Sequence, residues 1–158
     1  TWSRYRNERL WQYDVTTNGF RYHMSNINAA IGLVQLEKFA RMQGRKNALA
    51  AEYDAAFGDL SSIRLIPTDY RQTAVFSYIV RVTRDRAAAI ESLKGRGIGT
   101  GIHYQPVHTF SRFRQYMRTE LPVTDLAAKK ILTLPLFCDM TDTDRDRVIT
   151  ALTAWDRT

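Results

Sequence analysis

Five lysines, three histidines and one cysteine are the side chains of this sequence best suited to bond-making chemistry. His103 and His108 stand close together, with His23 far upstream. Imidazole is a common metal ligand and an equally good hydrogen-bond partner for hydroxyls and phosphates. No carboxylate or thiolate lies beside these histidines at ligand spacing, so a structural or substrate-facing role is expected and no metal site. Cys138 has no partner for an internal disulfide or for a Cys-rich zinc site within one chain. Beside Phe137 it reads as a core thiol, and a reducing, cytoplasmic setting fits it. There is no nucleophile elbow, Ser/His/Asp order or locally supported Cys/His pair.

Two other stretches have the composition of binding sites. Gly95, Gly97, Gly99 and Gly101 form a glycine-rich run whose N–H groups could ring an anion. A dinucleotide fingerprint, however, follows a strand and opens a helix, whereas this run follows a helical pattern and precedes an extended one. A helix C-cap and turn is the expected reading. Phe110, Arg112, Phe113, Arg114, Tyr116, Met117 and Arg118 interleave aromatics with arginine, as some nucleic-acid binders do. At helical spacing Phe110, Phe113 and Met117 share one face, which predicts an amphipathic helix with a solvated basic side.

The elements that must position these residues follow from periodicity. Residues 1–24 are rich in arginine and aromatics without a sustained period and form an irregular lead-in. From Ser25, a good N-cap, apolar residues recur at helical spacing through Ile27, Ala30, Ile31, Val34, Phe39, Met42, Ala48, Leu49, Tyr53 and Phe57. Gly58 closes this long helix, 25–58, and Gly32 and Gly44 are the places where it could kink. Ile63 to Ile66 and the alternating Val75 to Val82 predict strands. Asp85 caps a helix that turns Ala87, Ile90 and Leu93 inward, and Ile102 to Tyr104 reads as another strand ended by Pro106. Weak helical spacing from Val123 to Ile131 leads into apolar Leu132 to Leu136. Thr141 then caps a final helix whose first turn holds Asp142 and Asp144, and whose apolar stripe is Val148, Ile149, Leu152 and Trp155. The order predicts an α+β domain over 25–158, with a small, largely antiparallel sheet covered by helices.

Composition narrows the function classes. The chain has 158 residues, 44% hydrophobic and 25% charged, which excludes a disordered, collagenous or disulfide-scaffold protein. Its 23 basic residues against 16 acidic ones give a net charge of +7, and an excess of that size suggests a polyanionic partner. No apolar run approaches a membrane span of roughly 20 residues. The start at Thr1 lacks both a signal peptide's apolar stretch and an initiator Met, which suggests a processed or truncated piece.

Four segments carry a more specific message. Gly19-Phe20-Arg21-Tyr22-His23-Met24-Ser25, running into Ala29-Ala30-Ile31-Gly32 and Gln35-Leu36, closely resembles the signature of the DegT/DnrJ/StrS nucleotide-sugar aminotransferases. Arg45 through Tyr53, Gly97 through His108, and Leu134-Pro135-Leu136 with the Thr141 helix are similar to later family segments in the expected order. The resemblance implies the C-terminal small domain of the aspartate-aminotransferase fold, that of type I enzymes dependent on pyridoxal 5'-phosphate (PLP). It implies that PLP is held mainly by an N-terminal domain outside this sequence, with the Schiff-base lysine there, so that this chain alone carries no catalytic residue and is inactive.

By the same resemblance, the family forms homodimers, and the lead-in loop of residues 1–24 reaches the neighbouring subunit's PLP phosphate. Where the family's usual pattern has asparagine and arginine, this sequence has Arg21 and His23. Arg21 is then the expected contact to that phosphate, since a guanidinium binds phosphate bidentately. His23, His103 and Tyr104 are the expected contacts to the substrate. The implied reaction moves an amino group from an amino acid, glutamate by expectation, to a nucleotide-linked ketosugar in cell-surface, lipopolysaccharide or secondary-metabolite sugar biosynthesis. The basic surplus would then attract the sugar nucleotide, and neither membrane nor nucleic acid is an expected partner. Two rivals stay open: a PLP-dependent sugar dehydratase of the same family, and a non-catalytic basic dimerisation or binding module.

Overall fold

A computed structural model describes residues 18–20 and 22–158. The chain divides into two compact units between Glu37 and Lys38. Helix α1 (Asn26–Phe57) begins where Ser25 Oγ accepts a hydrogen bond from the Asn28 N–H at 3.2 Å, and it continues through both Gly32 and Gly44. The helix is not broken at either glycine. Past α1 come β1 (Ile63–Leu65), β2 (Tyr78–Val82), α2 (Arg86–Lys94), a single 3-10 turn (Val107–Thr109), the one-turn α3 (Ser111–Arg114), α4 (Pro122–Lys130), β3 (Ile131–Leu134) and α5 (Asp142–Asp156).

The three strands form an antiparallel sheet in the order β1-β2-β3, with Ile63 opposite Val82, and with Tyr78 opposite Leu134 and Val80 opposite Leu132. Because side chains alternate across a strand, Tyr78, Val80 and Val82 fall on one buried face. That face joins Leu49, Ala50, Tyr53 and Phe57 of α1, Ala89 and Leu93 of α2, and Val148, Ala151, Leu152 and Trp155 of α5 in one apolar cluster. Tyr53 stacks on Phe57 with ring centres 5.3 Å apart, and its buried hydroxyl donates to Pro135 O at 3.0 Å. Burial, the chief cause, drives the Tyr53 phenol well above its ordinary range, so it stays neutral in the core.

Several local expectations are corrected here. The strand predicted from Val75 starts only at Tyr78, because the Val75 N–H donates to Asn47 Oδ1 at 3.2 Å and its carbonyl accepts from Gln43 Nε2 at 3.1 Å. Side chains of α1 thus occupy the backbone groups a neighbouring strand would need, and Phe76 is left 83% exposed. Ala89, not Ala87, is the buried alanine of α2, and Ala50 replaces Ala48 in α1. The helix expected through Met117 ends at Arg114, with Phe110, Phe113 and Met117 all exposed. Cys138 is half-buried rather than in the core.

The ends of α2 and α5 follow the expected chemistry. Asp85 accepts from the Ala87 and Ala88 N–H groups at 2.8 and 3.2 Å. Thr141 and Asp144 form a reciprocal capping box. The glycine run closes α2, and Gly97 takes φ of 73°, a left-handed conformation natural to glycine.

Candidate functional site

The predicted strand Ile102–Tyr104 is replaced by a fold-back. Gly101 makes an isolated bridge with Thr133 of β3, its N–H donating to Thr133 O at 3.0 Å and its carbonyl accepting from the Thr133 N–H at 2.8 Å. The chain then turns so that His103 Nδ1 comes 2.9 Å from Thr133 Oγ1. This contact takes the place of further strand pairing. The His103 ring lies over Gly101: a Cβ there would stand 2.7 Å from the imidazole Cε1. Tyr104 sets its ring edge-on to His103, with centres 4.8 Å apart, and is 73% exposed. The structure therefore brings His103 and Tyr104 together, both exposed.

The next residues are pinned by a pair that the sequence did not reveal. His108, in the 3-10 turn, places Nε2 2.8 Å from Asp125 Oδ1 of α4, and the histidine side chain is only 16% exposed. Thr109 Oγ1 donates to Pro106 O at 2.7 Å and closes the same turn. Asp125 lies 17 residues from His108, too far for any local spacing rule to connect them. Between this loop and α4 lies an open cleft of about 470 Å³ lined by residues including Arg86, Gln105, Thr109, Asp125 and Lys129.

Much of the arginine that suggested an anionic ligand is bound internally. Arg86 Nη1 donates to the carbonyls of Ala128 and Ile131, capping the end of α4. Arg96 donates to Ala151 O at 2.7 Å, and Arg64 to Ile63 O at 2.8 Å. Arg45 reaches Met140 O at 2.9 Å and Asp142 at 2.8 Å, while Arg145 meets Glu52 at 2.6 Å. Net charge in the sequence does not separate these capping arginines from ones free to meet a ligand.

A second carboxylate, Asp54, is gripped by two phenols, the Tyr70 hydroxyl donating at 2.5 Å and the Tyr78 hydroxyl at 2.6 Å. Burial first, and then the bonded carboxylate, push both phenols above their ordinary range. With both oxygens engaged, Asp54 ties the 66–77 segment to α1 and reads as structural. Among the described residues no group of three or more His, Cys, Asp or Glu could hold a metal ion.

His23 is exposed in the segment before α1, and Arg21 lies outside the described residues. Lys38 is exposed, Lys46 stands 5.9 Å over the Phe76 ring, and Lys94 pairs with Glu91 at 3.6 Å. Lys129 is exposed on the open cleft, where the neighbouring Asp125 is already bonded to His108. A PLP aldehyde needs a lysine facing an enclosed, acid-bearing pocket. The described residues do not by themselves fit the cofactor.

Comparison with known proteins supplies the wider frame. DesV from S. venezuelae, solved in complex with a ketimine intermediate, superposes with a TM-score of 0.82 at 29% identity, covering 97% of this chain and 41% of its own. The sugar aminotransferase CalS13 from Micromonospora echinospora matches with a TM-score of 0.81 at 28% identity, covering 90% of this chain and 38% of its own. The aminotransferase TlmJ from Streptoalloteichus hindustanus matches with a TM-score of 0.78 at 29% identity, over 92% of this chain and 40% of its own. The chain thus spans about two fifths of the length of these relatives. The sequence model of one enzyme family matches residues 2–153, nearly the whole chain. On that match, the chain belongs to the DegT/DnrJ/EryC1/StrS aminotransferase family.

Proposed function

We propose that this chain is the C-terminal small-domain part of a PLP-dependent aminotransferase that moves an amino group from an amino acid, glutamate in the first instance, to a nucleotide-linked ketosugar. The family match over residues 2–153 carries this reading. It is supported by relatives named as sugar aminotransferases, and by Spr1654 from Streptococcus pneumoniae, 25% identical, which has been solved in PLP and PMP forms. PLP supplies the electron sink for amino transfer. On this reading the Schiff-base lysine and most of the cofactor pocket come from the other part of the enzyme, and the chain alone is inactive.

This chain's share is positioning. His103 and Tyr104, exposed side by side, suit hydrogen bonding to sugar hydroxyls or a diphosphate. His23 and Arg21 are proposed to serve the neighbouring subunit of a homodimer, at the substrate and the PLP phosphate respectively. Among the described residues no helix is long and apolar enough to cross a membrane. A cytoplasmic site of action and a place in cell-surface or secondary-metabolite sugar synthesis belong to the same proposal.

The test is to incubate the complete polypeptide with PLP, glutamate and nucleotide-linked ketosugars, and to follow 2-oxoglutarate and the aminosugar together. Their stoichiometric appearance supports the reading. A sugar that loses a hydroxyl without gaining nitrogen assigns a dehydratase instead, and salt-sensitive nucleic-acid binding with no reaction on any sugar nucleotide assigns a basic binding module.

A further inference from the structure

Thr133 is an anomaly in its strand. It sits between Leu132 and Leu134, all three buried, and the residue is only 7% exposed. Its backbone groups are bonded to Gly101, so only the hydroxyl remains to be satisfied. Among the described residues the one partner of that hydroxyl is His103 Nδ1, at 2.9 Å.

The direction of this hydrogen bond follows from what each alternative leaves unpaired. If Nδ1 carried the proton, the hydroxyl would accept, and its own hydrogen would have no acceptor among the described residues. A buried donor left unmade costs more than an exposed one. If the hydroxyl donates, Nδ1 is the bare nitrogen, and a neutral imidazole then holds its proton on Nε2. Nε2 makes no hydrogen bond among the described residues, and His103 is exposed. The ring cannot slide toward the chain without meeting Gly101, where even a methyl group would stand 2.7 Å from Cε1, and Tyr104 stands edge-on at its side.

We infer that Thr133, together with Gly101, is a positioning residue that holds His103 as the neutral tautomer protonated on Nε2, so that it meets an acceptor oxygen of the sugar nucleotide as an N–H donor. This rests on the reading of His103 as a substrate contact. The tautomer itself rests only on the Thr133 contact. The acceptor is a sugar hydroxyl or a diphosphate oxygen, which share the chemistry that matters.

The experiment uses the complete protein with 15N-labelled histidine, at about pH 8, above the ordinary imidazole range. The nitrogen resonances of His103, assigned by their loss in His103→Gln, report which nitrogen carries the proton. The expected result is a bare Nδ1 and a protonated Nε2, with the Nδ1 resonance displaced as that of a hydrogen-bond acceptor, a displacement kept in Thr133→Ser and lost in Thr133→Val, whose shape is close to that of threonine. In the same proteins KM for the sugar nucleotide should rise about fivefold in Thr133→Val, the size of one ordinary hydrogen bond, with kcat little changed and with Thr133→Ser near the parent. A protonated Nδ1 in the parent protein, or a Thr133→Val protein whose Nδ1 resonance is unchanged, overturns the inference. An unchanged KM alongside a lost Nδ1 hydrogen bond overturns its substrate arm. Absence of amino transfer in the parent overturns the proposed function, while the resonances still decide the tautomer.

Discussion

The two ends of α1 carry the same kind of apolar spacing and meet opposite fates. Toward its C-terminus Leu49, Ala50, Tyr53 and Phe57 are wholly buried among the strands and α5. Toward its N-terminus Ile27, Ile31, Leu33, Val34 and Leu36 are exposed. Periodicity records which residues favour burial, because burying apolar area is favourable wherever it happens. It does not record what supplies the other surface. The difference teaches that an apolar stripe is evidence of a partner, and that the partner can be within the unit or outside it.

The largest test of that contrast is Phe57→Ala, expected to destabilise the chain by about 3–5 kcal/mol in denaturant unfolding, as a large aromatic removed from a packed core does. A loss below 1 kcal/mol would mean that this end of α1 is packed no better than the other. Acid should also weaken the buried end. Despite its burial, Asp156 is held below its ordinary value of 3.8 by the Ser62 and Ser61 amides, which donate to its carboxylate at 2.6 and 3.1 Å. Asp142 is lowered chiefly by Arg45, and Asp144 by Thr141. A carboxylate depressed in the folded state contributes stability that is full above the unfolded value and is lost as pH falls through the folded one. Thermal unfolding followed from pH 6 downward should therefore show its decline below about pH 4, and Asp156→Asn should flatten it.

A smaller effect is expected at the cap of α5. Thr141→Ala removes the reciprocal box with Asp144 and should cost about 1 kcal/mol. The smallest concerns the exposed end. Ile31→Glu with Val34→Lys should change unfolding stability by no more than about 0.5 kcal/mol, yet should reduce self-association of the 158-residue chain in light scattering. A parent chain already monomeric across a wide concentration range contradicts the second half of that prediction. A large loss of stability contradicts the contrast itself.

What could be read in the sequence was local. The caps at Ser25, Asp85 and Thr141, the turn at Gly97 and the alternation of Tyr78, Val80 and Val82 all appear where their spacing places them. Each is decided within one or two turns of chain, by side chains that satisfy nearby backbone groups or line one face. Two of the elements misread were ones where distant residues claim the polar groups. Val75 gives its N–H and carbonyl to Asn47 and Gln43, and His103 turns from strand pairing to reach Thr133.

The candidate site divides along the same line. His103 and Tyr104 were legible as residue types in a family-like segment, and their exposure side by side was not. The His108–Asp125 pair, the donation from Thr133 and the hydrogen bonding of Arg86 and Arg96 to distant carbonyls had no local signal at all. The sequence by itself determined the long helix, the capped helices α2 and α5, the face of β2 and the family, because these depend on short-range periodicity and on motifs in order. Only the tertiary structure decided which polar groups meet, because a hydrogen bond is set by a separation of about 3 Å in space, and residues far apart in the chain reach it only after the core has brought their elements together.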